Sequence, residues 1–283
     1  MNFHKIAGRI IKLQWTLKEN VANLIALYSG PPYKPNGHGI VIDVTTHCNL
    51  NCMDCNRSCG KNQAMSIEHI SLDQIQKFIQ ESIAQKRRWR GILIEGGEPT
   101  LHPDLPELVN LLIEYKKMHC PGMHIQVNSN GHDLLADAVL AKIPSEVKVF
   151  KSQKQTLHQE HHIAFNMAPS DLALYKNDSF SGGCFLTRRY GMGLTRYGYY
   201  PHPICGGIDR VFGFDIGRKT LPSCRDTMID QFQTLCQYCG HYTTCHPKRF
   251  PRPKGFIEKG KMSPSWSKAY SDYQKNKPIL SLY

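Results

Sequence analysis

A chain of 283 residues with 41% hydrophobic residues can bury a sizeable core, as one large domain or as a main domain with an appendage. No apolar run approaches the roughly 20 residues that cross a bilayer. In residues 1–18 polar residues interrupt the apolar ones at helical spacing, which argues against a secretory signal. The formal charge of +12 is compatible with an acidic partner such as a nucleic acid. Many of the basic residues, however, lie at a predicted helix end (86–90) and near the C-terminus (248–261), where we expect them to be exposed to solvent. Nucleic-acid binding is therefore not favoured.

The chain contains eleven cysteines. In a chain of this size without a secretory signal, cysteines serve as metal or cluster ligands more often than as disulfides. We therefore expect a cytoplasmic protein that holds a metal centre.

The predicted elements alternate between helix and strand. One or two helices occupy residues 1–30 and end at Gly30-Pro31-Pro32. The elements predicted after them are strand 40–44, helix 71–88 capped by Ser71, with Leu72, Ile75, Phe78, Ile79 and Ile83 facing inward, strand 91–95, helix 103–117, strand 124–128, helix 134–142, strand 146–150 and strand 162–166. Strands separated by helices at this spacing pair in parallel, so their carboxyl ends meet at one edge.

Three cysteines follow the first of these strands. Cys48, Cys52 and Cys55 form a C-x3-C-x2-C array at its carboxyl end. Three thiolates at this spacing can hold three corners of a cubic iron–sulfur cluster and leave one iron open to a small molecule. Cys59 is expected to be a neutral buried thiol, because a fourth thiolate would close that site.

A second motif, Gly96-Gly97-Glu98-Pro99, follows the next strand. Together the two motifs resemble the cluster and GGEP motifs of the radical S-adenosylmethionine (SAM) superfamily. The resemblance implies a partial (β/α)6 TIM-like barrel, a [4Fe–4S] cluster on the three cysteines, and SAM beside Gly96, Gly97, Glu98 and Pro99. Asn130 and Lys151, at predicted strand ends, are candidates for contacts to the SAM ribose or to the substrate. The residue before the third cysteine is usually aromatic in the family, whereas here it is Asp54.

The remaining cysteines lie beyond residue 170, where a β-hairpin is predicted around Gly198. Cys184, Cys205, Cys236 and Cys239 resemble the ligands of the "twitch" form of the SPASM-type extension, which implies an auxiliary [4Fe–4S] cluster. Cys224 and Cys245 are candidate spares, and either can replace Cys205. A structural zinc site on these cysteines is the alternative. Tyr197, Tyr199, Tyr200 and Arg210 are candidates for the substrate side of the barrel, with simple packing as the alternative.

The expected class is therefore α/β. It comprises a helical lead-in (1–38), a radical SAM core (39–175), a small auxiliary cluster domain with a β-hairpin (176–250) and a basic tail (251–283). The expected activity is reductive cleavage of SAM, with the 5′-deoxyadenosyl radical taking hydrogen from a small metabolite and the auxiliary cluster accepting an electron. The expected partner is a flavodoxin- or ferredoxin-type reductant. The alternatives are a SPASM-type peptide-modifying enzyme and a zinc-stabilised basic RNA-binding protein.

Overall fold

The computed structural model describes residues 21, 36–59, 66–132, 134–152, 154, 165–245 and 262–283. The helices expected within residues 1–30 fall outside this set apart from Val21. Among the described helices, none has the length and apolar character that a membrane crossing requires.

Six strands form one sheet in the order β4-β3-β2-β1-β5-β6. They are β1 (Gly39–Thr45), β2 (Gly91–Gly96), β3 (His124–Ser129), β4 (Lys148–Lys151), β5 (Met192–Thr195) and β6 (Gly198–Tyr200). The first five are parallel neighbours, and β6 pairs antiparallel with β5 through the hairpin predicted around Gly198. The mixed α/β class and the mostly parallel sheet expected of a partial TIM-like core are confirmed. The strand predicted at 162–166 is described only from Phe165, which lies in a turn with Asn166.

Eight helices connect or follow these strands in the described part of the chain. They are α1 (Leu72–Ala84), α2 (Leu105–His119), α3 (Leu134–Leu140), α4 (Phe185–Tyr190), α5 (Pro203–Phe212), α6 (Ile229–Leu235), α7 (Gly240–Cys245) and α8 (Pro264–Lys275). The predicted start of α1 is confirmed, because Ser71 and Gln74 form a reciprocal capping box. Its predicted inward face is wrong at Ile83, which is 39% exposed and lies in the last turn of the helix.

Alternation along the central strands separates two faces of the sheet. Ile40, Ile42 and Val44 of β1 are buried against α1 and α2 together with Ile92 and Ile94 of β2. Because successive strand residues point to opposite faces, Asp43 and Glu95 lie on the other, concave face. The first face supplies the main core, and the second is left free for polar side chains.

The carboxyl-terminal half, defined here as residues 165–245 and 262–283, covers the concave face. Its hairpin extends the main sheet, since β5 pairs with β1 in parallel. Residues 251–283 are expected to form a basic tail. Their described part, 262–283, packs onto the rest of the protein, because Trp266 and Tyr270 of α8 are buried. The last residue, Tyr283, donates from its hydroxyl to Glu81 of α1 at 2.7 Å.

Candidate functional site

The first cysteine group, Cys48, Cys52 and Cys55, lies in the loop that follows β1, called here the cysteine loop (46–59). The three thiols are mutual neighbours: burial raises the pKa of Cys48 to about 12, and the charges of Cys55 and Cys52 add to this effect. Burial also raises the pKa of Cys52, with Cys55 again contributing. The structure thus brings the three predicted ligands together at the carboxyl end of the first strand.

Cys59 adds a contact that the spacing did not predict. Its thiol donates a hydrogen bond to the Arg57 carbonyl at 3.3 Å. The interaction of the Cys59 and Cys55 side chains is the first reason that the pKa of Cys55 falls to about 6. The same interaction, together with burial, holds the pKa of Cys59 well above its usual value. Cys59 is 4% exposed, so the expectation that it is buried is confirmed.

The glycines of the second motif let β2 end directly against the cysteine loop. The N–H of Gly97 donates to the Thr45 carbonyl at 2.7 Å, and the N–H of Glu98 donates to the His47 carbonyl at 2.8 Å. A Cβ atom at Gly97 would lie 2.2 Å from the His47 oxygen, and Gly96 has a φ of +136°. Only glycine fits such an approach and such a conformation. The two glycines of this motif therefore have a steric cause.

Glu98 is fully buried and joins the ends of two strands. One carboxylate oxygen accepts from the Thr100 N–H at 3.2 Å and from its hydroxyl at 2.8 Å, and the other accepts from the Asn130 N–H at 2.7 Å. Pro99 is buried and opens a short 3₁₀ turn, Pro99–Leu101. The motif thus positions the strand ends around the cysteine loop.

Asn130 lies beside the cysteine loop, as its place at the end of β3 predicts. Its amide nitrogen donates to the Asn49 side-chain oxygen at 2.7 Å, and its own side-chain oxygen accepts from the His132 N–H at 2.9 Å. Its role towards SAM stays a prediction.

Of two nearby lysines, Lys154 is the one that reaches the cysteine loop. Lys151 forms an ion pair with Asp137 of α3, at 2.6 Å, and so turns towards the helix layer. The Lys154 ammonium instead lies 3.7 Å from the Cys52 sulfur, and its N–H donates to the Asn130 carbonyl at 3.0 Å. Sequence reasoning missed Lys154 because the chain after β4 has no periodic pattern that would place it.

Asp54, which replaces the family's usual aromatic residue, has a φ of +54°. Short polar residues tolerate this left-handed conformation better than bulky ones do. The departure from the family pattern therefore suits the local backbone.

A chain of polar side chains crosses the concave face beside the cysteine loop. Arg57 pairs with Asp43 at 2.9 Å and with Glu95 at 2.7 Å. Glu95 also accepts from Asn128 at 2.5 Å, and Asn128 accepts from Gln126 at 2.5 Å. Burial raises the pKa of Asp43 to about 6, and Arg57 offsets this only in part. Sequence reasoning missed this network, although polar residues at alternate positions of apolar strands were a visible signal.

The second cysteine group, Cys184, Cys205, Cys236 and Cys239, is buried in the carboxyl-terminal half. The thiols of Cys205 and Cys236 share a hydrogen bond, which is the main cause of a Cys236 pKa well above the usual value. Burial raises that pKa further, as do the charges of Cys205, Cys239 and Cys184. The four predicted side chains are therefore neighbours, enclosed by Tyr175, Phe180, Phe232 and Tyr242 on one side and by Leu235 and Trp266 on the other.

Cys224 and Cys245, the two cysteines predicted as spare ligands, lie in different places. Cys224 is exposed, and its sulfur accepts a hydrogen bond from Arg87 at 3.0 Å. Cys245 ends α7, and its side chain lies outside the described set. The geometry thus favours Cys205 over Cys224 as a member of the second group.

Two aromatic candidates for the substrate side serve the interior instead. The Tyr199 hydroxyl donates to Glu81 at 2.9 Å, and the Tyr200 hydroxyl donates to Asp209 at 2.6 Å. Both side chains are fully buried. Simple packing, the alternative for these residues, is the better interpretation.

Among the residues that the structure describes, no three His, Cys, Asp or Glu side chains are placed to bind one and the same metal ion. In a cubane each cysteine binds a different iron, so the thiolates surround a larger group and need not meet at one point. The two cysteine groups offer the donor atoms that such a cluster requires.

Comparison with known proteins places this site in a family context. The model of the radical SAM superfamily matches residues 42–166, which hold the first cysteine group and the GGEP motif. A 7,8-dihydro-6-hydroxymethylpterin dimethyltransferase from Methanocaldococcus jannaschii is 32% identical over 90 residues, 32% of this chain and 16% of that protein. A probable GTP 3′,8-cyclase from Methanococcus maripaludis is 36% identical over 74 residues, 25% of this chain and 23% of that protein. The chain thus spans less than a quarter of either curated relative.

Solved structures give more distant likenesses. BtrN in an open conformation has a TM-score of 0.42 and 15% identity, covering 79% of this chain and 96% of that one. Streptococcus suis SuiB bound to the precursor peptide SuiA has a TM-score of 0.35 and 12% identity, covering 83% and 76%. At these scores neither neighbour carries an argument about substrate.

Proposed function

We propose that this chain, whose residues 42–166 match the model of the radical SAM superfamily, cleaves SAM reductively and uses the 5′-deoxyadenosyl radical to take a hydrogen atom from a small metabolite. The observation that carries the proposal is the convergence of Cys48, Cys52 and Cys55 at the end of β1, against the close approach of Gly97. The family implies a [4Fe–4S] cluster and SAM, and the residues fit them: each of the three neighbouring cysteines can bind one iron, while the fourth nearby thiol, Cys59, is buried and has a pKa well above its usual value.

When bound, the cluster supplies the electron that breaks the C5′–S bond of SAM. The chain's own residues supply position. Glu98 and Asn130 hold the ends of β2 and β3 next to the cysteine loop. The Lys154 ammonium, 3.7 Å from the Cys52 sulfur, favours negative charge on that side of the loop.

We also propose that the second cysteine group holds an auxiliary [4Fe–4S] cluster that accepts an electron from the substrate. Four buried thiols in an aromatic enclosure support this assignment, because full thiolate ligation suits electron transfer better than substrate binding. A flavodoxin- or ferredoxin-type protein is the proposed reductant of the first cluster. A zinc-stabilised RNA-binding protein is the less favoured alternative, since residues 42–166 match an enzyme superfamily.

The test is SAM cleavage by anaerobically reconstituted protein. With dithionite as the reductant, wild type should release 5′-deoxyadenosine, measured by liquid chromatography and mass spectrometry. The C48A/C52A/C55A variant should release none, while C224A, altered at an exposed cysteine outside both groups, should match wild type. Release of 5′-deoxyadenosine by the triple variant would refute the proposed cluster site.

A further inference from the structure

A cavity of about 220 Å³ lies between the concave face of the sheet and the carboxyl-terminal half. Its polar lining includes Glu95 of β2, Asn56 and Arg57 of the cysteine loop, and His202 at the start of α5. The volume is below the range of about 300–1,000 Å³ that is usual for ligand pockets. An occupant of this cavity is therefore a small molecule.

His202 presents an unused hydrogen-bond donor to this cavity. Its ring is buried, at 6% exposure, and caps α5 because Nδ1 accepts from the Ile204 N–H at 3.4 Å. With Nδ1 acting as an acceptor, the ring proton sits on Nε2. Among the described residues Nε2 has no partner, although a buried polar atom without one costs stability.

The charges around the cavity argue against a phosphate-bearing occupant. Among its described lining residues, Arg57 is the only permanently charged cation, and the carboxylates of Asp43 and Glu95 already engage it. A nucleotide phosphate would meet a compensated guanidinium and a carboxylate. Hydroxyl or amino groups, by contrast, can donate to Glu95, and ring carbons can pack on Val41 and Ile204.

We propose that this cavity binds the substrate as a small polyhydroxylated compound, uncharged or singly cationic and without phosphate, and that His202 Nε2–H donates to one of its oxygens. This inference rests on the proposed function, because the cavity can be a substrate site only if SAM is cleaved at the neighbouring cysteine loop. It adds the substrate class and a specificity-determining residue.

Two substitutions distinguish the role of His202 Nδ1, which caps α5, from that of Nε2, which faces the cavity. His202→Asn places an amide oxygen where Nδ1 lies and is a favoured helix cap, but it removes the donor to the cavity. His202→Gln extends an amide nitrogen towards the place of Nε2 and loses the cap. His124→Asn, at an exposed residue at the start of β3, is the matched control.

The probes are glucosamine and myo-inositol, with GTP as the phosphate-bearing comparator. Binding to the reconstituted, SAM-loaded protein is measured by saturation-transfer NMR and titration. Wild type, H202Q and H124N should bind at least one of the two polyols, and H202N should bind it about tenfold more weakly, as the loss of one hydrogen bond predicts. GTP should not displace the polyol.

Three results would overturn the inference. Equal polyol affinity of H202N and wild type would remove His202 from recognition. Binding of GTP in competition with the polyols, or binding of neither polyol to wild type, would refute the substrate class. Failure of the proposed function is seen separately, as the absence of 5′-deoxyadenosine from SAM whatever the probes do.

Discussion

The guanidinium of Arg210 donates to the backbone carbonyl of Ser58 at 2.8 Å, and so ties α5 to the cysteine loop. The same guanidinium also donates to the Arg57 carbonyl at 3.0 Å, and Arg210 is 3% exposed. Ser58 has a φ of +50°, an unfavourable conformation for a residue other than glycine. The carboxyl-terminal half therefore helps to hold the turn that follows the third cysteine.

Replacing Arg210 with methionine should weaken this turn. R210M keeps much of the side-chain length but leaves two buried carbonyl groups without this donor, at an expected cost of about 1–3 kcal/mol in urea unfolding. Reconstituted R210M should also lose iron faster than wild type, followed by absorbance near 400 nm. R90M, at an exposed arginine, should match wild type in both measurements, and equal behaviour of R210M and R90M would contradict the bracing role.

The steric argument at Gly97 predicts that even one methyl group is harmful there. G97A would force a Cβ atom to 2.2 Å from the His47 carbonyl oxygen, so we expect a loss of about 1–3 kcal/mol in stability and poor iron incorporation. G91A, at the start of β2, is the control, because the nearest neighbour of its Cβ atom would be the His124 oxygen of β3 at 3.8 Å. An iron content in G97A equal to that of G91A would show that the approach of β2 to the cysteine loop is not needed.

The two cysteine groups should account for iron separately. Wild type should hold about eight irons per chain, and either C48A/C52A/C55A or C184A/C205A/C236A/C239A should hold about four. Only the second of these variants should still cleave SAM, because the first group serves that step. Iron and zinc are measured by elemental analysis. Eight irons in the second variant, or zinc in wild type, would refute the auxiliary cluster.

The titration of Asp43 predicts a pH dependence of stability. Burial raises its pKa from 3.8 to about 6, so the folded protein holds this proton more tightly than the unfolded chain does. Acidification through this range therefore favours folding at this residue. The stability of wild type relative to D43N should rise as the pH falls from above 6 towards 3.8, as measured by urea unfolding.

The control for this titration is Q76N, at an exposed residue of α1 that does not titrate. The stability difference between wild type and Q76N should stay level between the two pH values. A wild-type advantage over D43N that shrinks on acidification would show that the ion pair with Arg57 outweighs burial, contrary to the expectation above.

Sequence reasoning predicted the elements whose pattern is local. The β-branched run at 40–44 lies within β1, and Ser71 caps α1 as predicted. The first cysteine group could be placed because short spacing in one loop fixes the neighbours. The prediction that polar residues at strand ends share one edge is confirmed for Glu98 and Asn130, which are hydrogen-bonded.

Contacts between distant segments could not be predicted in this way. The position of Lys154 depends on how the chain returns after β4, and the Arg57 pairs depend on the register between a loop and two strands. The anchoring of Tyr283 on Glu81 joins residues 202 positions apart. Such contacts follow from tertiary packing, for which a single sequence contains no periodic signal.

The pairing of β5 with β1 has a consequence for any attempt to shorten this protein. Cleavage before β5 would remove the strand that pairs with one edge of β1 and leave unpaired amide and carbonyl groups there, with which other chains could pair. The two cysteine-bearing parts thus share a seam of main-chain hydrogen bonds. They should melt as one cooperative unit, and a fragment carrying only the first motifs should self-associate.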